Sequence, residues 1–249
     1  MDFANQLSKD LIRKLSRIIS IIPARSGSKG LKNKNILNFH GKPLINWSIL
    51  YSLKNKLIDS CIVTTDSIKI AKIAKEQGAE VPFIRDKNLA SDKTPTSEVI
   101  LDVIEKCDLK DQDIILLLEP TSPYRTIEDF HKGLNLLKKN NCKKVVSVSQ
   151  AISSSFRFQF MRSNDAAGSL LNLEFNNCPN DMRRQEIIKT YFLDGSFYFS
   201  NVKAFKDNHG FIGESTGTFE TNYFSTFEID TYNDFKLLES LFESFGMPF

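Results

Sequence analysis

The sequence predicts an α/β fold with a mainly parallel, three-layer sheet, and three observations lead to that prediction. Short β-branched runs alternate with longer segments whose apolar residues recur at helical spacing. Strands separated by helix-length segments are typical of βαβ units, in which the crossover makes the paired strands parallel. No internal repeat or low-complexity linker interrupts this pattern, and 249 residues are enough to bury one large core.

The predicted elements follow in chain order. Residues 2–15 have apolar side chains at helical spacing, which predicts an amphipathic helix for packing or oligomerisation. We therefore divide the chain into an N-terminal extension, residues 1–17, and a main domain, residues 18–249. The predicted strands of the first half are Arg17–Ile22, Cys61–Thr65, Val81–Ile84, Ile114–Leu118 and Lys144–Val148. The helices between them are predicted near 43–54, 67–77, 96–107 and 126–139.

Between about 150 and 190 the alternation stops. Phe156, Phe158 and Phe160 alternate with polar residues and predict a strand with one apolar face. That face would pack either against a second subunit, as an oligomerisation arm, or against the chain's own core, as an edge strand. Strands over Ser196–Ser200 and Ser225–Ile229 and a final helix over about 231–244 complete the prediction.

Composition excludes several classes of protein. The 33 basic and 30 acidic residues nearly cancel and are spread along the chain, which gives no support for binding to nucleic acid or to a membrane surface. The four cysteines are scattered without zinc-ligand spacing and indicate reduced thiols. Because the apolar run Ile18–Ala24 is broken by Ser20 and Pro23, it fits neither a signal peptide nor a membrane span, and we expect a cytoplasmic protein.

The loop after the first strand has the chemistry of a phosphate-binding loop. Its small residues let the backbone approach phosphate oxygens, and its cations Arg25, Lys29 and Lys34 can neutralise them. The loop has neither the Walker spacing nor GxGxxG, so it indicates neither a P-loop ATPase nor a dinucleotide-binding protein. A solvated basic turn is the structural alternative. Ligands bind beyond the carboxyl ends of strands in such sheets, where the later segments 65–66, 85–92 and 119–125 also fall.

The same loop carries a resemblance to a known family. The string IIPARSGSKGLKNKN, followed by GKPLI, resembles the signature of the acylneuraminate cytidylyltransferase family, whose members make CMP-sialic, CMP-legionaminic and related sugars. Further matching strings occur in the family's order: VTTD, IRDKNLASD, LLLEPTSPYR, RRQ, GSFYF and EID, which together span roughly residues 18–235.

The resemblance implies a fold and a reaction. The fold is a Rossmann-like three-layer αβα nucleotidyltransferase fold, with a dimerisation arm about 150–190 that makes a homodimer the expected state. The reaction transfers CMP from CTP to the anomeric hydroxyl of a nonulosonic (sialic-acid-type) sugar and releases pyrophosphate, with Mg²⁺ or another divalent cation as cofactor. No nucleic-acid or membrane partner is expected.

The resemblance also implies roles for individual residues. Arg25 and Lys34 match triphosphate-contacting cations, and Arg184 matches a functional arginine; with the metal-binding Asp230 they form the expected catalytic set. The expected nucleotide-binding residues are Arg25, Ser28, Lys29, Asn35, Arg85, Thr94 and Thr96. The expected sugar-binding residues are Glu119, Thr121, Ser122, Arg183 and Gln185.

The expected metal ligands are Glu228 and Asp230. Positions two apart in a strand point to one face, so the two carboxylates can share a cation. The structural alternative is that these acidic residues only cap the following helix.

Three positions depart from the family pattern. Glu119 stands where glutamine is usual, Glu228 replaces a commoner aspartate, and Asp194 replaces an asparagine before GSFYF. An ionised carboxylate only accepts hydrogen bonds, so Glu119 puts the identity of the sugar in question and would suit an amino or amide donor on it. Two other functions stay open: a catalytically silent CTP- or sugar-binding protein, and a nucleotidyltransferase for a different nucleotide or sugar.

Overall fold

The computed structural model describes residues 16–28, 30–139, 142–150, 160–162, 172–174, 191–213 and 216–246. The strands in this part of the chain are β1 Ile18–Pro23, β2 Asn38–Phe39, β3 Lys42–Pro43, β4 Ser60–Thr64, β5 Ile114–Leu117, β6 Lys144–Gln150, β7 Phe160–Arg162, β8 Asn172–Glu174, β9 Tyr191–Asn201 and β10 Thr216–Glu220. The α-helices are α1 Leu44–Lys54, α2 Ile68–Gln77, α3 Thr96–Lys106, α4 Ile127–Lys138, α5 Val202–Asn208 and α6 Tyr232–Phe245.

Six of these strands form the central sheet in the order β10-β6-β9-β5-β1-β4. β1 pairs in parallel with β4 and β5, and β10 pairs in parallel with β6. β9 is antiparallel to both of its neighbours, β5 and β6. The prediction of a mainly parallel sheet is therefore confirmed, with one long antiparallel strand at its centre.

Alternation along β1 builds a core on each face of the sheet. Ile18 and Ile22 pack in one apolar cluster, and Ile19 and Ile21 pack in another, because successive strand residues point to opposite faces. Helices α1, α2 and α4 contribute to the first cluster, and α3 and α5 contribute to the second. A strand covered on both sides must be apolar throughout, which is why β1 reads as a nearly continuous apolar run.

A third apolar cluster fixes the end of the chain beside the first loop. It contains Phe39 before the β2–β3 turn, Trp47 of α1, and Phe235 and Phe242 of α6. Ile229, just before α6, lies in the same cluster, and its N–H donates to the Thr121 carbonyl at 2.8 Å. The segment that contains Asp230 is thereby held next to the loops that follow β1 and β5.

Two strand predictions are wrong. Val81–Ile84 is not a strand, because Pro82 has no N–H to donate, and only isolated bridges form at Glu80 and Ile84 on either side. Ser225–Ile229 is not a strand either: a 3₁₀ turn over Tyr223–Thr226 is followed by residues that form no ladder.

Other differences concern what the sequence pattern did not predict. Helix α5 and strand β10 were not predicted, and β9 begins at Tyr191 instead of Ser196. The predicted N-terminal helix over residues 2–15 and most of the predicted arm, including Phe156 and Phe158, lie outside the described residues. Within the arm region, β7 and β8 form an antiparallel pair. Of the helices described, none is long and apolar enough to cross a lipid bilayer.

Candidate functional site

A cavity of about 560 Å³ opens beyond the carboxyl ends of β1 and β5. Its walls come from the loop after β1, the segment before α3, the loop after β5 and the segment before α6. The predicted site residues that line it are Arg25, Ser28, Lys34, Asn35, Arg85, Thr94, Thr96, Glu119, Thr121 and Asp230. The fold therefore brings most of the described candidates together, although they are distant in sequence.

The loop after β1 is held in place by two anchors. Asp66, which follows β4, accepts hydrogen bonds from the Ser26 N–H at 2.8 Å and from the Ser26 hydroxyl at 2.5 Å. Burial alone would raise the pKa of Asp66, but these hydrogen bonds outweigh it and hold the pKa below its usual range. At the other end, the Asn35 side chain donates to the Arg25 carbonyl at 3.0 Å. These hydrogen bonds fix Ser26 beside Asp66 and Asn35 beside Arg25.

Lys34 and Asp230 meet at the edge of the cavity. The Lys34 Nζ lies 2.8 Å from Asp230 Oδ1, and the carboxylate is otherwise largely exposed. The two segments approach closely at Gly30, where a Cβ would lie 2.6 Å from the Asp230 carbonyl oxygen. Asp230 does not cap α6, because Thr231 is the N-cap and forms a capping box with Asp234. The alternative that the acidic pair serves as a helix cap is therefore wrong.

Arg85 places a buried guanidinium on the cavity wall. Its side chain belongs to a residue that is only 4% exposed, and its Nε has no hydrogen-bond partner within the described part of the chain. Its backbone N–H donates to the Thr65 carbonyl at 2.8 Å, which fixes the residue beside β4. Burial lowers the pKa of Arg85, and the Arg25 charge lowers it further. A buried cation in this position favours a ligand that supplies acceptor oxygens.

Arg25 is ion-paired across the cavity. Its Nη1 contacts Asp92 Oδ1, and both side chains are about one-third exposed. Asp92 lies in the segment between Arg85 and α3 and lines the same cavity. The sequence pattern had placed Asp92 only within the matching string IRDKNLASD, without a role.

Carboxylates form the side of the cavity next to β9. Burial raises the pKa of Glu119 to about 7, and the neighbouring Glu228 charge adds to the effect. Burial also raises the pKa of Glu228, followed by repulsion from Asp230. Gly195 makes room for the longer Glu228 side chain, since a Cβ there would lie 2.0 Å from Glu228 Oε1. Glu228 and Asp230 do not lie in a strand, so the prediction that strand geometry points both carboxylates to one face is wrong. The charges of the two side chains nevertheless interact.

A buried arginine that sequence reasoning missed supports this acidic side. Arg125 is fully buried and donates to the Glu119 carbonyl at 2.6 Å, the Ser196 carbonyl at 2.7 Å and the Ser48 hydroxyl at 2.9 Å. Burial lowers its pKa to about 10. Its side chain ties the loop after β5 to β9. The only available signal was its place in the matching string LLLEPTSPYR, because periodicity does not indicate that a loop arginine will be buried.

The candidate Ser122 and the substituted position Asp194 turn inward and do not line the cavity. Ser122 is buried, and its hydroxyl donates to the Asp194 carbonyl at 3.3 Å. The Asp194 carboxylate is also buried and accepts hydrogen bonds from the hydroxyls of Ser147, Ser149 and Thr221 and from the Ser196 N–H. Since every one of these partners donates, an acceptor-only carboxylate suits this position.

The remaining candidates lie outside the described residues, namely Lys29, Arg183, Arg184 and Gln185. Their roles stay predictions. Among the residues that the structure does describe, no cluster of three or more His, Cys, Asp or Glu side chains is arranged to hold a metal ion.

Known proteins resemble this chain over most of its length. The family model described as cytidylyltransferase matches residues 19–243. The chain is 36% identical over 231 residues to CMP-N,N'-diacetyllegionaminic acid synthase of Legionella pneumophila, an alignment that covers 91% of this chain and 97% of the relative. It is 33% identical over 225 residues to N-acylneuraminate cytidylyltransferase of Escherichia coli, covering 89% of this chain and 51% of that protein.

The fold also has solved counterparts. The structure of CMP:2-keto-3-deoxy-manno-octonic acid synthetase complexed with CTP superposes with a TM-score of 0.66 at 17% identity, covering 92% of this chain and 99% of that one. At that identity the likeness shows the fold alone, and it confirms the Rossmann-like α/β prediction. The family match and the two relatives support one conclusion. The chain belongs to the cytidylyltransferase family and is a CTP-dependent nucleotidyltransferase of the acylneuraminate cytidylyltransferase type.

Proposed function

We propose that this enzyme transfers CMP from CTP to the anomeric hydroxyl of a nonulosonic acid and releases pyrophosphate. The observation that carries the proposal is a single cavity lined both by Arg25, Lys34 and Arg85 and by carboxylates from the loop after β5 and the segment before α6. Cations on one side suit a triphosphate, and the carboxylate side suits hydroxyl, amino or amide donors. The names of the relatives, which include legionaminic and neuraminic acid enzymes, support the same sugar class.

The nucleotide would lie along the wall formed by the first loop and the segment before α3. Arg85 supports this placement, because its buried guanidinium lacks an acceptor at Nε and cytidine offers acceptor atoms. Thr94 and Thr96 line the same wall, although the Thr94 hydroxyl already donates to the Asn88 carbonyl at 3.1 Å. Ser28 lies next to the place proposed for the phosphates.

Charge neutralisation and positioning are the main tasks of such a site. The sugar hydroxyl attacks the α-phosphorus in line while the bond to pyrophosphate breaks, so negative charge accumulates on the leaving group. Arg25 and Lys34 would hold that charge through fixed donors, and the anchors of the first loop at Asp66 and Asn35 hold their backbone in place. Arg184 is proposed as a further functional cation.

The carboxylates near Asp230 fit a divalent cation. One Asp230 oxygen contacts Lys34, while the side chain is 67% exposed and lines the cavity. Repulsion between Asp230 and Glu228 raises the pKa of Glu228 after the larger effect of burial, and a cation would relieve that repulsion. We infer that Asp230, with Glu228 near it, would hold Mg²⁺, with phosphate oxygens and water as the other ligands. When bound, the ion would neutralise phosphate charge.

The sugar would lie against the acidic side. Glu119 and Thr121 line the cavity there, and the Arg125 hydrogen bond to the Glu119 carbonyl fixes their loop. We propose that Glu119 accepts a hydrogen bond from an amino or amide substituent. Arg183 and Gln185 are proposed as further sugar-binding residues, whereas buried Ser122 supports the loop through Asp194.

Product analysis tests the proposal. Purified enzyme would be incubated with CTP, Mg²⁺ and each of several nonulosonic acids, and both pyrophosphate release and the mass of the sugar product would be measured. We expect release that depends on the sugar, together with a CMP-sugar of the corresponding mass. Release with UTP, ATP or GTP instead of CTP would indicate another nucleotide, and CTP binding without release for any sugar would indicate a silent binding protein.

A matched pair of variants tests the site. Arg25→Ala should abolish product formation while circular dichroism shows a folded protein. Arg17→Ala removes an arginine of the same charge that pairs with Asp113 at the other end of β1, and it should keep turnover. Normal turnover of folded Arg25→Ala would contradict the placement of the triphosphate.

A further inference from the structure

The cation proposed to bind the triphosphate already has a carboxylate partner. The Arg25 guanidinium contacts the Asp92 carboxylate across the cavity. Asp92 lies in a segment that is ordered by its own contacts: the Ser91 and Thr94 hydroxyls are 2.8 Å apart, and Asp86 accepts from the Asn88 N–H at 2.8 Å. The ion pair therefore links the loop after β1 to the segment between Arg85 and α3.

Cations and carboxyl groups both line the described part of the cavity. The cations are Arg25, Lys34 and Arg85, and the carboxyl groups are those of Asp92, Glu119 and Asp230. A triphosphate that takes Arg25 and Lys34 must therefore displace two carboxylates, because each of these cations has a carboxylate partner. Every displaced carboxylate would then lie near the negative phosphates.

The two displaced carboxylates are not equivalent. Asp230 would exchange Lys34 for the divalent cation that the proposed reaction brings with the nucleotide. Asp92 holds Arg25 and lines the same cavity, so its charge would oppose the arriving triphosphate twice, first by holding Arg25 and then by repulsion.

We propose that Asp92 competes with the triphosphate for Arg25 and thereby weakens the binding of CTP. The inference rests on the proposed function, specifically on the contact between the triphosphate and Arg25. Asp92 holds Arg25 towards the cavity and releases it when the phosphates arrive. It is a residue that sets nucleotide affinity, and it takes no part in the chemical step.

Calorimetric binding of CTP to Asp92→Asn tests this inference. Exposed ion pairs are worth little, so we expect CTP to bind about two- to fivefold more tightly at low salt. The gain should shrink as salt screens the charges. It should also depend on the phosphates: cytidine should bind the variant and the natural enzyme equally, and CTP should show the full difference. Asp92→Ala should change affinity in the same direction, which guards against an effect of the new amide.

Asp111→Asn is the matched control. Asp111 pairs with Lys206 at 3.1 Å on the exposed surface and does not line the cavity. The Asp111→Asn variant loses the same charge as Asp92→Asn. Its affinity for CTP should equal that of the natural enzyme. If the natural enzyme binds CTP and the folded Asp92→Asn variant binds it equally or more weakly, Asp92 does not compete with CTP for Arg25, and the proposed function still stands. If the natural enzyme does not bind CTP, the proposed function fails as well.

Discussion

Replacing Gly30 by alanine should separate the phosphate loop from Asp230. A Cβ at position 30 would lie 2.6 Å from the Asp230 carbonyl oxygen, whereas ordinary contacts begin at 3.4 Å. The oxygen belongs to the backbone and cannot rotate away, so the two segments must move apart by about 0.8 Å. Overpacking of this kind costs about 1–3 kcal/mol of stability. It would also displace Lys34 from Asp230, which are 2.8 Å apart, and misplacement by about 1 Å lowers rates roughly a hundredfold.

The assay is steady-state pyrophosphate release combined with urea unfolding. Gly27→Ala is the control within the same loop, because a Cβ there meets no atom within 4 Å and Gly27 does not line the cavity. We expect kcat/KM to fall about a hundredfold for Gly30→Ala and to change less than about threefold for Gly27→Ala. Equal activity of the two variants would refute the argument that close approach at Gly30 sets the geometry of the site.

Three further predictions concern the supports of the site and of the fold. Arg125→Lys should lower the free energy of unfolding in urea by about 2–4 kcal/mol, because one amine cannot reach all three buried acceptors; a loss below about 0.5 kcal/mol would contradict this. Glu119→Gln should change the relative kcat/KM among sugars that differ in amino or amide groups by about tenfold or more. The KM for CTP should change little. An unchanged preference among the sugars would reject the proposed contact between Glu119 and the sugar. Asp113→Asn should destabilise the protein at pH 7 by about 1–3 kcal/mol, since the carboxylate accepts from Arg17 Nη2 at 2.7 Å and from the Lys110 N–H at 2.9 Å. Burial raises the pKa of Asp113 in the folded protein, but these hydrogen bonds outweigh it and hold that pKa below the usual value. The contribution of Asp113 to the free energy of unfolding is therefore full above about pH 4 and is lost as the pH falls through the folded pKa. Urea midpoints that differ equally at pH 7 and pH 3 would contradict that origin.

The sequence predicted the buried strands and the long helices well because periodicity and burial agree there. Buried apolar residues of β1, β4, β5 and β6 pack on both faces of the sheet, and each strand appears within two residues of its predicted bounds. The prediction failed where pairing decided the outcome: Val81–Ile84 has strand-like residues, but Pro82 lacks the N–H that a ladder requires. Strand β10 forms only because β6 offers an edge, and local sequence does not show that edge.

The candidate site was predicted mainly through the matching motifs, which name residues but not their partners. Arg25, Lys34 and Arg85, which the motifs name, all line one cavity. They did not show that Asp92 pairs with Arg25 or that Arg125 is buried beneath Glu119, because both contacts join segments that meet only in the folded chain. The sequence showed only that Glu228 replaces a commoner aspartate. The structure shows how the longer side chain fits, because Gly195 has no Cβ to clash with it.

A crystal structure with CTP and Mg²⁺ in the absence of sugar tests the central claim most directly. The account predicts the triphosphate against Arg25 and Lys34, cytidine beside Arg85, the cation at Asp230, and Asp92 separated from Arg25. Nucleotide bound elsewhere, or bound in this cavity with its phosphates away from Arg25 and Lys34, would contradict the proposed site of cytidylyl transfer.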